Sequence, residues 1–512
     1  MRYLLKDIRI QVDASQDLEK KILSSLKSEK TSLISWKITR RAIDTRKVNQ
    51  PYYVYTVEIE TDKSIAANSD LIPVKSILPV KLPEIKLGNQ SPMIIGMGPA
   101  GLFCALAMVE RGFTPVLLDR GTALEQRAIA VNNFWHKGIL DPDSNVQFGE
   151  GGAGAFSDGK LTSRTRNSST EAVFLNLIKF GAPESIAYDA LPHLGTDGIR
   201  RIVSEIKNFL QSKGCRFVYN SKLQRLDIAD GRLRAVKING ETHSPELLIL
   251  APGNAARDTF TMLAETGVEL RAKPFAIGFR ISHPQDWINK TVYGGDAWSE
   301  KLGAASYRLT SKQSGKGTYT FCMCPGGHVI AASSEPESIV TNGMSYSDRK
   351  YAYGNSAIVS VVNEFDYGKA LFDGINFQSR IERKPYQKGY YAPYQKAADY
   401  LSDRISAQQK VSCLFADSVP YMISDLFSSE LNQALKKALH YFNKIMPGFI
   451  QEGLLIAPET RTSSPIRIIR DPINGNCLGI SNLYAVGEGS GYAGGIISSA
   501  ADGYNTGSKF TL

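Results

Sequence analysis

Met93-Ile94-Ile95-Gly96-Met97-Gly98-Pro99-Ala100-Gly101, running on to Val116-Leu117-Leu118-Asp119-Arg120, decides the fold. Three apolar residues make a short buried strand, Leu102, Phe103, Leu106 and Val109 recur at helical spacing, and Gly112 stands where a helix ends. Between strand and helix, Gly96 permits a sharp turn, Gly98 removes the side chain that would block a pyrophosphate, and Gly101 lets the helix pack closely on the sheet. Pro99 and Ala100 open that helix, whose N-terminus is aimed at a diphosphate. Asp119, about twenty residues beyond the turn, is placed to accept hydrogen bonds from an adenosine ribose. A lone glycine triplet often only closes a turn; framed by strand, helix, second strand and acid, it reads as a dinucleotide site.

The 512 residues predict two or three domains and a large core. Six cysteines and no N-terminal apolar segment of signal-peptide form point to a reducing, cytoplasmic setting, and no run is long enough to span a bilayer. The net charge of +10 suits an anionic partner such as a dinucleotide, a phosphorylated substrate or RNA, and the first ninety residues carry about +5 of it. A solvated basic face is a simpler account of that excess than a nucleic-acid platform.

Residues 1–70 read as a small α+β module. Tyr3 to Val12, Ser32 to Ile43 and Tyr52 to Ile59 pattern as strands, and Leu18 to Leu26 as a helix. Its basic stretch, Lys37, Arg40, Arg41, Arg46 and Lys47, precedes Tyr52, Tyr53 and Tyr55. Such interleaving can bind nucleic acid, but tyrosines also fill strand positions because they pack well there. Pro73, Pro79, Pro83 and Pro92, among Lys75, Lys81 and Lys86, predict an extended linker over 71–92.

The second informative stretch runs from Asn145 to Lys160. Gly149, Gly151, Gly152, Gly154 and Gly159 expose backbone N–H groups around Ala153, and suit a phosphate cradle or a flat ring system, with Ser157 and Lys160 adding a hydroxyl and a charge. The alternative is a flexible surface loop, although Phe148, Phe156, Glu150 and Asp158 are unusual in one. His193 precedes a helix expected from about Gly198 to Lys213, with Thr196 or Asp197 as its N-cap. Gly214 to Ala235 reads as paired strands turning at Asp230-Gly231. Glu246 to Gly253 is a buried strand ending in a glycine turn that includes Pro252.

Over 273–448 the nucleotide pattern is absent and an inserted substrate domain is expected. Phe275 to Ile281, Gly317 to Cys324 and His328 to Ser333 read as strands, and Ser428 to Ile445 as an amphipathic helix. Cys322 and Cys324, two apart in a strand, would face the same side just before Pro325-Gly326-Gly327-His328. Three readings stay open: a metal site with His328, a redox pair relaying electrons from a bound flavin, or small buried residues beside a pocket.

Residues 449–512 return to the nucleotide pattern. Val486-Gly487-Glu488 ends a strand with an acid where a ribitol or pyrophosphate-bridging contact would fall. Gly494-Gly495, before Ile496, opens a helix with no side chain at its mouth. That N-terminus could stabilise negative charge at the N1 and C2 carbonyl edge of a reduced flavin, which makes the dinucleotide FAD. The chain thus predicts an α/β protein: a discontinuous Rossmann-like FAD-binding domain (93–272 and 449–512), an inserted mixed β-sheet/α substrate domain, and the small N-terminal α+β module.

Gly96, Gly98 and Gly101, Leu250-Ala251-Pro252-Gly253 and Val486-Gly487-Glu488 resemble the three fingerprints of the FAD-binding superfamily that includes glutathione reductase and p-hydroxybenzoate hydroxylase. Asp119, Pro252 and Glu488 depart from its more usual Glu, Thr and Asp. More closely, the chain resembles a bacterial family of FAD-dependent, or NAD-utilising, dehydrogenases. The matching words are Phe148 to Gly154 with Ser157 to Leu161, Phe321 to Gly327, Asn342 to Ser345, Glu459-Thr460-Arg461-Thr462-Ser463-Ser464-Pro465 and Gly487 to Gly489. The second GxGxxG of a glutathione reductase-type NAD(P)H domain is not found between Lys273 and Gly448. NAD(P)H would therefore act, if at all, as a transient co-substrate without its own domain.

The resemblance implies a cytoplasmic FAD oxidoreductase that exchanges hydride at flavin N5 with a small anionic substrate, with NAD(P)H or with a protein electron donor or acceptor. Arg120, Arg127 and the Gly149–Gly154 loop would hold the diphosphate and flank the ring, and Leu223 would offer adenine a backbone contact. Cys322, Cys324, His328 and Arg461 are the candidate catalytic residues, with Arg461 as the anion anchor and no metal. Two rivals remain: an RNA-modifying flavoenzyme gripping tRNA through the basic module, and a flavin-loaded sensor in which Cys322 and Cys324 switch a partner contact.

Overall fold

The computed structural model describes the chain apart from residues 14–16, 27–31, 48–49, 75–83, 89–90, 164–166 and 296. Pro79 and Pro83 of the expected linker, with Lys75 and Lys81, lie outside the described residues. The protein is mixed α/β.

The apolar triplet Met93–Ile95 forms the middle strand of a five-stranded, wholly parallel sheet. Its order is Leu483–Ala485, Leu248–Leu250, Met93–Ile95, Val116–Leu118, Arg216–Val218. One sheet thus takes strands from both ends of a stretch of nearly four hundred residues. Parallel strands buried on both faces need continuous apolar runs, and these short segments supply them. The helix Pro99–Glu110 that follows the middle strand is apolar all round and buried from Ala100 to Met108. It packs along the C-terminal helix Ile496–Gly507. Asp230 and Gly231 both adopt positive φ at the turn of the Leu223–Ala229 and Arg232–Ile238 hairpin, as a two-residue turn between twisted strands requires.

A second, seven-stranded sheet has the order Thr310–Ser311, Thr318–Cys324, Tyr353–Val362, Phe275–Pro284, Leu454–Glu459, Tyr391–Lys396, Asp417–Pro420. It is antiparallel except for its last pair, and so unlike the parallel sheet of a nicotinamide-binding domain. Leu454–Glu459, expected in the returning nucleotide piece, lies within this sheet against Phe275–Pro284. The return therefore comes after the Glu459 strand and not at 449. Ser429–Ile445 is the expected amphipathic helix, capped by the Ser428 hydroxyl, and buries Leu431, Leu435, Leu439 and Phe442.

The N-terminal module is a four-stranded antiparallel sheet, ordered Leu33–Asp44, Tyr52–Thr61, Arg2–Gln11, Leu71–Pro73, with the helix Leu18–Ser25 packed on it through Ile22. Leu71–Pro73 belongs to this sheet, so the module runs past residue 70. Pro73 is tolerated because its strand is an edge. The module docks on the body through Arg41. Its backbone exchanges hydrogen bonds with Tyr188 and Ala190, and its guanidinium grips Asp189 at 2.7 and 3.1 Å. Arg46 pairs with Asp44 at 2.6 Å and Lys37 with Glu58 at 3.2 Å. Three of the five basic residues read as a nucleic-acid patch are thus already matched by carboxylates.

Candidate functional site

Three glycine turns meet at one edge of the parallel sheet. Gly96 has φ +106°, and a Cβ there would collide with the Ala251 carbonyl of the neighbouring strand end. A Cβ on Gly152 would fall 2.9 Å from the Gly98 Cα, one on Gly487 2.6 Å from the Ala100 Cβ, and one on Gly489 2.5 Å from the Gly253 carbonyl. The turns after Ile95, Leu250 and Ala485 and the 149–154 loop therefore touch backbone to backbone. By contrast, a Cβ on Gly253, Gly494 or Gly495 would meet nothing within 4 Å. These three border open space.

Two helix N-termini lie at these turns, and Gly495, at the mouth of the second, borders open space. The helix at Pro99 is preceded by Gly98 and the helix at Ile496 by Gly495, and neither has a side-chain cap. Their first N–H groups are unclaimed by side chains and carry the positive end of each helix dipole. Gly503 and Gly507 of the second helix pack against Ala100 and Cys104 of the first, so the helices run in parallel. The second extends six residues further, about 9 Å at the helical rise. Gly154 lies between the two, its Cβ position 3.3 Å from Ile496 and 3.9 Å from Pro99.

The acids and bases expected here do other work. Asp119 accepts from the N–H of Met97 at 2.8 Å and of Gly121 at 2.9 Å, tying the glycine turn to the second strand. Arg127 is not a phosphate ligand. Fully buried, it donates to the carbonyls of Asn145, Val146, Gly149, Glu150 and Gly152 at 2.6–3.2 Å and so shapes the glycine loop from behind. Burial pulls its pKa down to about 9, against the attraction of Asp119. Arg120 is likewise engaged, by Asp258 at 2.9 and 3.0 Å, and lies over the Phe148 ring. Ser157 is turned inward: its hydroxyl donates to the Gly154 carbonyl and accepts from the Gly159 N–H. Ala153 opens a short 3-10 turn, Gly151 donates to the Met97 carbonyl, and Gly149 presses on Arg127. Leu223, buried, begins the hairpin two residues after Ser221, whose N–H bonds to the Asp119 carbonyl. Pro252 and Gly253 follow the Leu248–Leu250 strand. Glu488 is half-buried and accepts from Asn254 Nδ2 at 3.0 Å; burial lifts its pKa to about 7.

Arg461 is not free to anchor an anion. It meets the fully buried Glu382 at 3.1 Å, with Glu335 at 3.7 Å, and Glu382 also holds Arg257 at 2.9 Å. An incoming anion would have to compete with a carboxylate that needs both arginines to offset its desolvation. His328 stacks on Tyr351, ring centroids 3.6 Å apart, and its buried Nδ1 has no hydrogen-bond partner among the described residues. Thr196 and Asp197 are not N-caps, because the helix starts earlier, at Gly195. The Asp197 carboxylate instead receives the Ser347 N–H and hydroxyl.

The cysteine pair departs from strand alternation. Phe321 pairs with Ala357 and Cys324 with Asn355, so Cys322 and Met323 together oppose Ser356 in a bulge, and Cys322 adopts φ +45°. Cys324 is fully buried, its Sγ 3.3 Å from the Cys322 carbonyl, while Cys322 is partly exposed. Two cations flank the pair, Lys160 Nζ at 4.0 Å and Arg280 Nη2 at 3.9 Å from the Cys324 sulfur. Its interaction with the Cys324 side chain, opposed by burial and aided by Lys160 and Arg280, holds the Cys322 thiol well below its usual pKa. The Cys322 side chain and burial push Cys324 up.

Asp158, Arg280, Arg349 and Glu459 complete this cluster, and the sequence reading missed their role. Asp158 receives Lys160 at 2.9 Å, Arg349 at 2.7 Å and the Ser345 hydroxyl. Burial opposes its ionisation, but Lys160 and Arg349 win and hold its carboxyl below its usual pKa. Arg280 is fully buried, binding Glu459 at 3.0 Å and the Cys322 carbonyl at 2.7 Å. A charge inside Phe275-Ala276-Ile277-Gly278-Phe279-Arg280-Ile281 was the available signal, since a strand so apolar buries whatever it carries.

Residues 274–462 match a family described as FAD-dependent protein, C-terminal domain-like, and residues 5–60 match a domain of unknown function, DUF8436. Among solved structures, the chain is similar to CtdE in complex with FAD, at 11% identity and TM-score 0.31, over 82% of this chain and 83% of that one. It is also similar to the L-proline dehydrogenase of P. horikoshii, at 10% identity and TM-score 0.37, over 83% and 93%. At these scores the likenesses carry no argument about chemistry. An uncharacterised protein of Clostridium beijerinckii is 38% identical over 98% of this chain and 97% of its own length. The chain belongs to the same family as that Clostridium beijerinckii protein.

Proposed function

We propose that the protein is an FAD-dependent oxidoreductase whose cofactor lies in the groove bordered by Gly253, Gly494 and Gly495. The observation that carries this reading is the pair of uncapped helix N-termini, staggered by about 9 Å, opening on a groove lined by backbone. One N-terminus suits a diphosphate and the other the electron-rich edge of a ring. The residues present fit FAD. Gly98, Pro99 and Gly152 would hold the diphosphate, Asp119 has remaining lone pairs for the adenosine ribose, Glu488 would meet the ribitol, and Gly494 to Ile496 would face the ring. A bound flavin supplies two-electron transfer at N5.

The chain's own residues build and dry this site. Arg127 sets the glycine loop, and Asp502 accepts from the Gly487 N–H at 2.7 Å while pairing with Arg470 at 2.7 Å, which fixes the third turn. With Arg461 neutralised, the role of anion anchor passes to Lys273 and Arg467. Lys273 lies within electrostatic reach of both Glu488 and Arg467, Arg467 lies over the Tyr492 ring, and neither cation has an ion-pair partner among the described residues. A small anionic substrate, NAD(P)H or a protein would exchange electrons from the seven-stranded sheet side.

Anaerobic stopped-flow absorbance tests the reading. Bleaching of the flavin band near ~450 nm by NADH or NADPH makes the protein a nicotinamide-driven reductase. No bleaching by either removes nicotinamide from the reading and leaves substrate or protein as the electron donor.

A further inference from the structure

We infer that Cys322 and Cys324 form a dithiol–disulfide pair that exchanges two electrons with the flavin, making the protein a flavin-linked thiol oxidoreductase. The inference rests on the flavin reading above and deepens it.

Position comes first. The pair stands where three parts of the chain converge: the end of the glycine loop through Lys160, the seven-stranded sheet through Arg280 and Glu459, and the third glycine turn, whose Glu488 lies within electrostatic reach of Cys322. The other four cysteines, Cys104, Cys215, Cys413 and Cys477, are scattered elsewhere in the chain, Cys104 in the helix Pro99–Glu110 and the rest between elements.

Chemistry comes second. A thiolate is the attacking species in thiol–disulfide chemistry, and it is favoured by nearby cations and by a hydrogen bond to its sulfur. Lys160 and Arg280 stand beside the pair, and Cys322 is the more accessible of the two. Cys324, buried and bonded to the Cys322 carbonyl, keeps its proton and stands as the resolving thiol. The bulge matters here, because it leaves Cys322 unpaired by the neighbouring strand while Cys324 stays opposite Asn355.

The step balances. In the oxidising direction the Cys322 thiolate and the Cys324 thiol lose two electrons and one proton and form one S–S bond. An oxidised flavin takes up those two electrons and that proton and becomes the anionic reduced form. In reverse, reduced flavin cleaves the bond and returns thiolate and thiol, with an external disulfide as the substrate that Cys322 would then attack.

The experiment uses the full-length, flavin-loaded protein, oxidised with ferricyanide, desalted, and titrated anaerobically with dithionite. Wild type is expected to take up four electrons per flavin before bleaching is complete, and Cys322→Ser and Cys324→Ser two each. Iodoacetamide added in denaturant, followed by peptide mass analysis, is expected to leave Cys322 and Cys324 unmodified in the oxidised protein and to label both after titration. Uptake of two electrons by wild type, with both thiols labelled in the oxidised protein, overturns the inference. The wild-type stoichiometry and labelling decide it even where a serine variant does not fold. A protein that neither carries nor takes up flavin fails at the earlier step, an outcome distinct from two-electron uptake by a yellow protein.

Discussion

Gly503 of the C-terminal helix lies against the Ala100 carbonyl of the first helix with no room for a Cβ between them. That contact sets how far the Ile496 N-terminus reaches past the Pro99 N-terminus, and therefore the spacing of the two positive ends over the groove. Gly503→Val is expected to overpack this crossing, costing about 1–3 kcal/mol and lowering flavin content in the same preparation. Denaturant melts and the ratio of visible to ultraviolet absorbance check both.

Gly494→Leu separates binding from folding. Its Cβ position is open, so stability is expected within about 0.5 kcal/mol of wild type, while the side chain enters the space assigned to the ring. Unchanged melting with flavin affinity reduced at least tenfold is the expected pair of results. Undiminished affinity would move the ring elsewhere.

Arg127→Met removes the guanidinium from five loop carbonyls; Gly149 and Gly152 keep backbone N–H partners, while Asn145, Val146 and Glu150 lose the donor they have. Each buried carbonyl left unmatched costs about 1–3 kcal/mol, so a loss of at least ~3 kcal/mol is expected even if the loop relaxes around some of them. Arg127→Lys is expected to recover little, because an ammonium has neither the reach nor the planar fork. Thermal unfolding ranks the three proteins.

Glu382 carries a pH signature. Burial opposes its ionisation, but Arg257 and Arg461 prevail and hold its carboxyl well below the ordinary value of 4.5. A carboxylate depressed on folding contributes stability that is complete above that ordinary value and is lost as pH falls toward the folded one. Wild type is therefore expected to lose stability below about pH 4.5 more steeply than Glu382→Gln, which is already the less stable protein at pH 7. Arg461→Gln is expected to act on stability in the same way, with no selective rise in KM for an anionic substrate. A selective KM effect would restore Arg461 as an anchor.

Local chemistry made much of the fold readable. The Met93 to Gly101 turn, the Asp230-Gly231 hairpin and the capped, amphipathic 429–445 helix each declare themselves within a few residues, through φ requirements, period and cap. Long-range matters did not declare themselves. Nothing near Arg127 says that its partners are carbonyls some twenty residues away, and nothing near Arg461 names Glu382, 79 residues back. Leu454–Glu459 reads as a strand of either sheet until its partner is known. The bulge at Cys322 comes from register with Tyr353–Val362, so period-two reasoning placed the thiols near each other but misjudged their surroundings.

The FAD assigned to the backbone groove stands or falls on what the purified chain carries. The most direct measurement is the mass and stoichiometry of whatever heat releases from the purified, unreconstituted chain, followed by binding of added FAD to the stripped protein. One FAD per chain, with affinity lost in Gly494→Leu, is the expected result. A colourless protein that binds no FAD under any reconstitution would contradict the account.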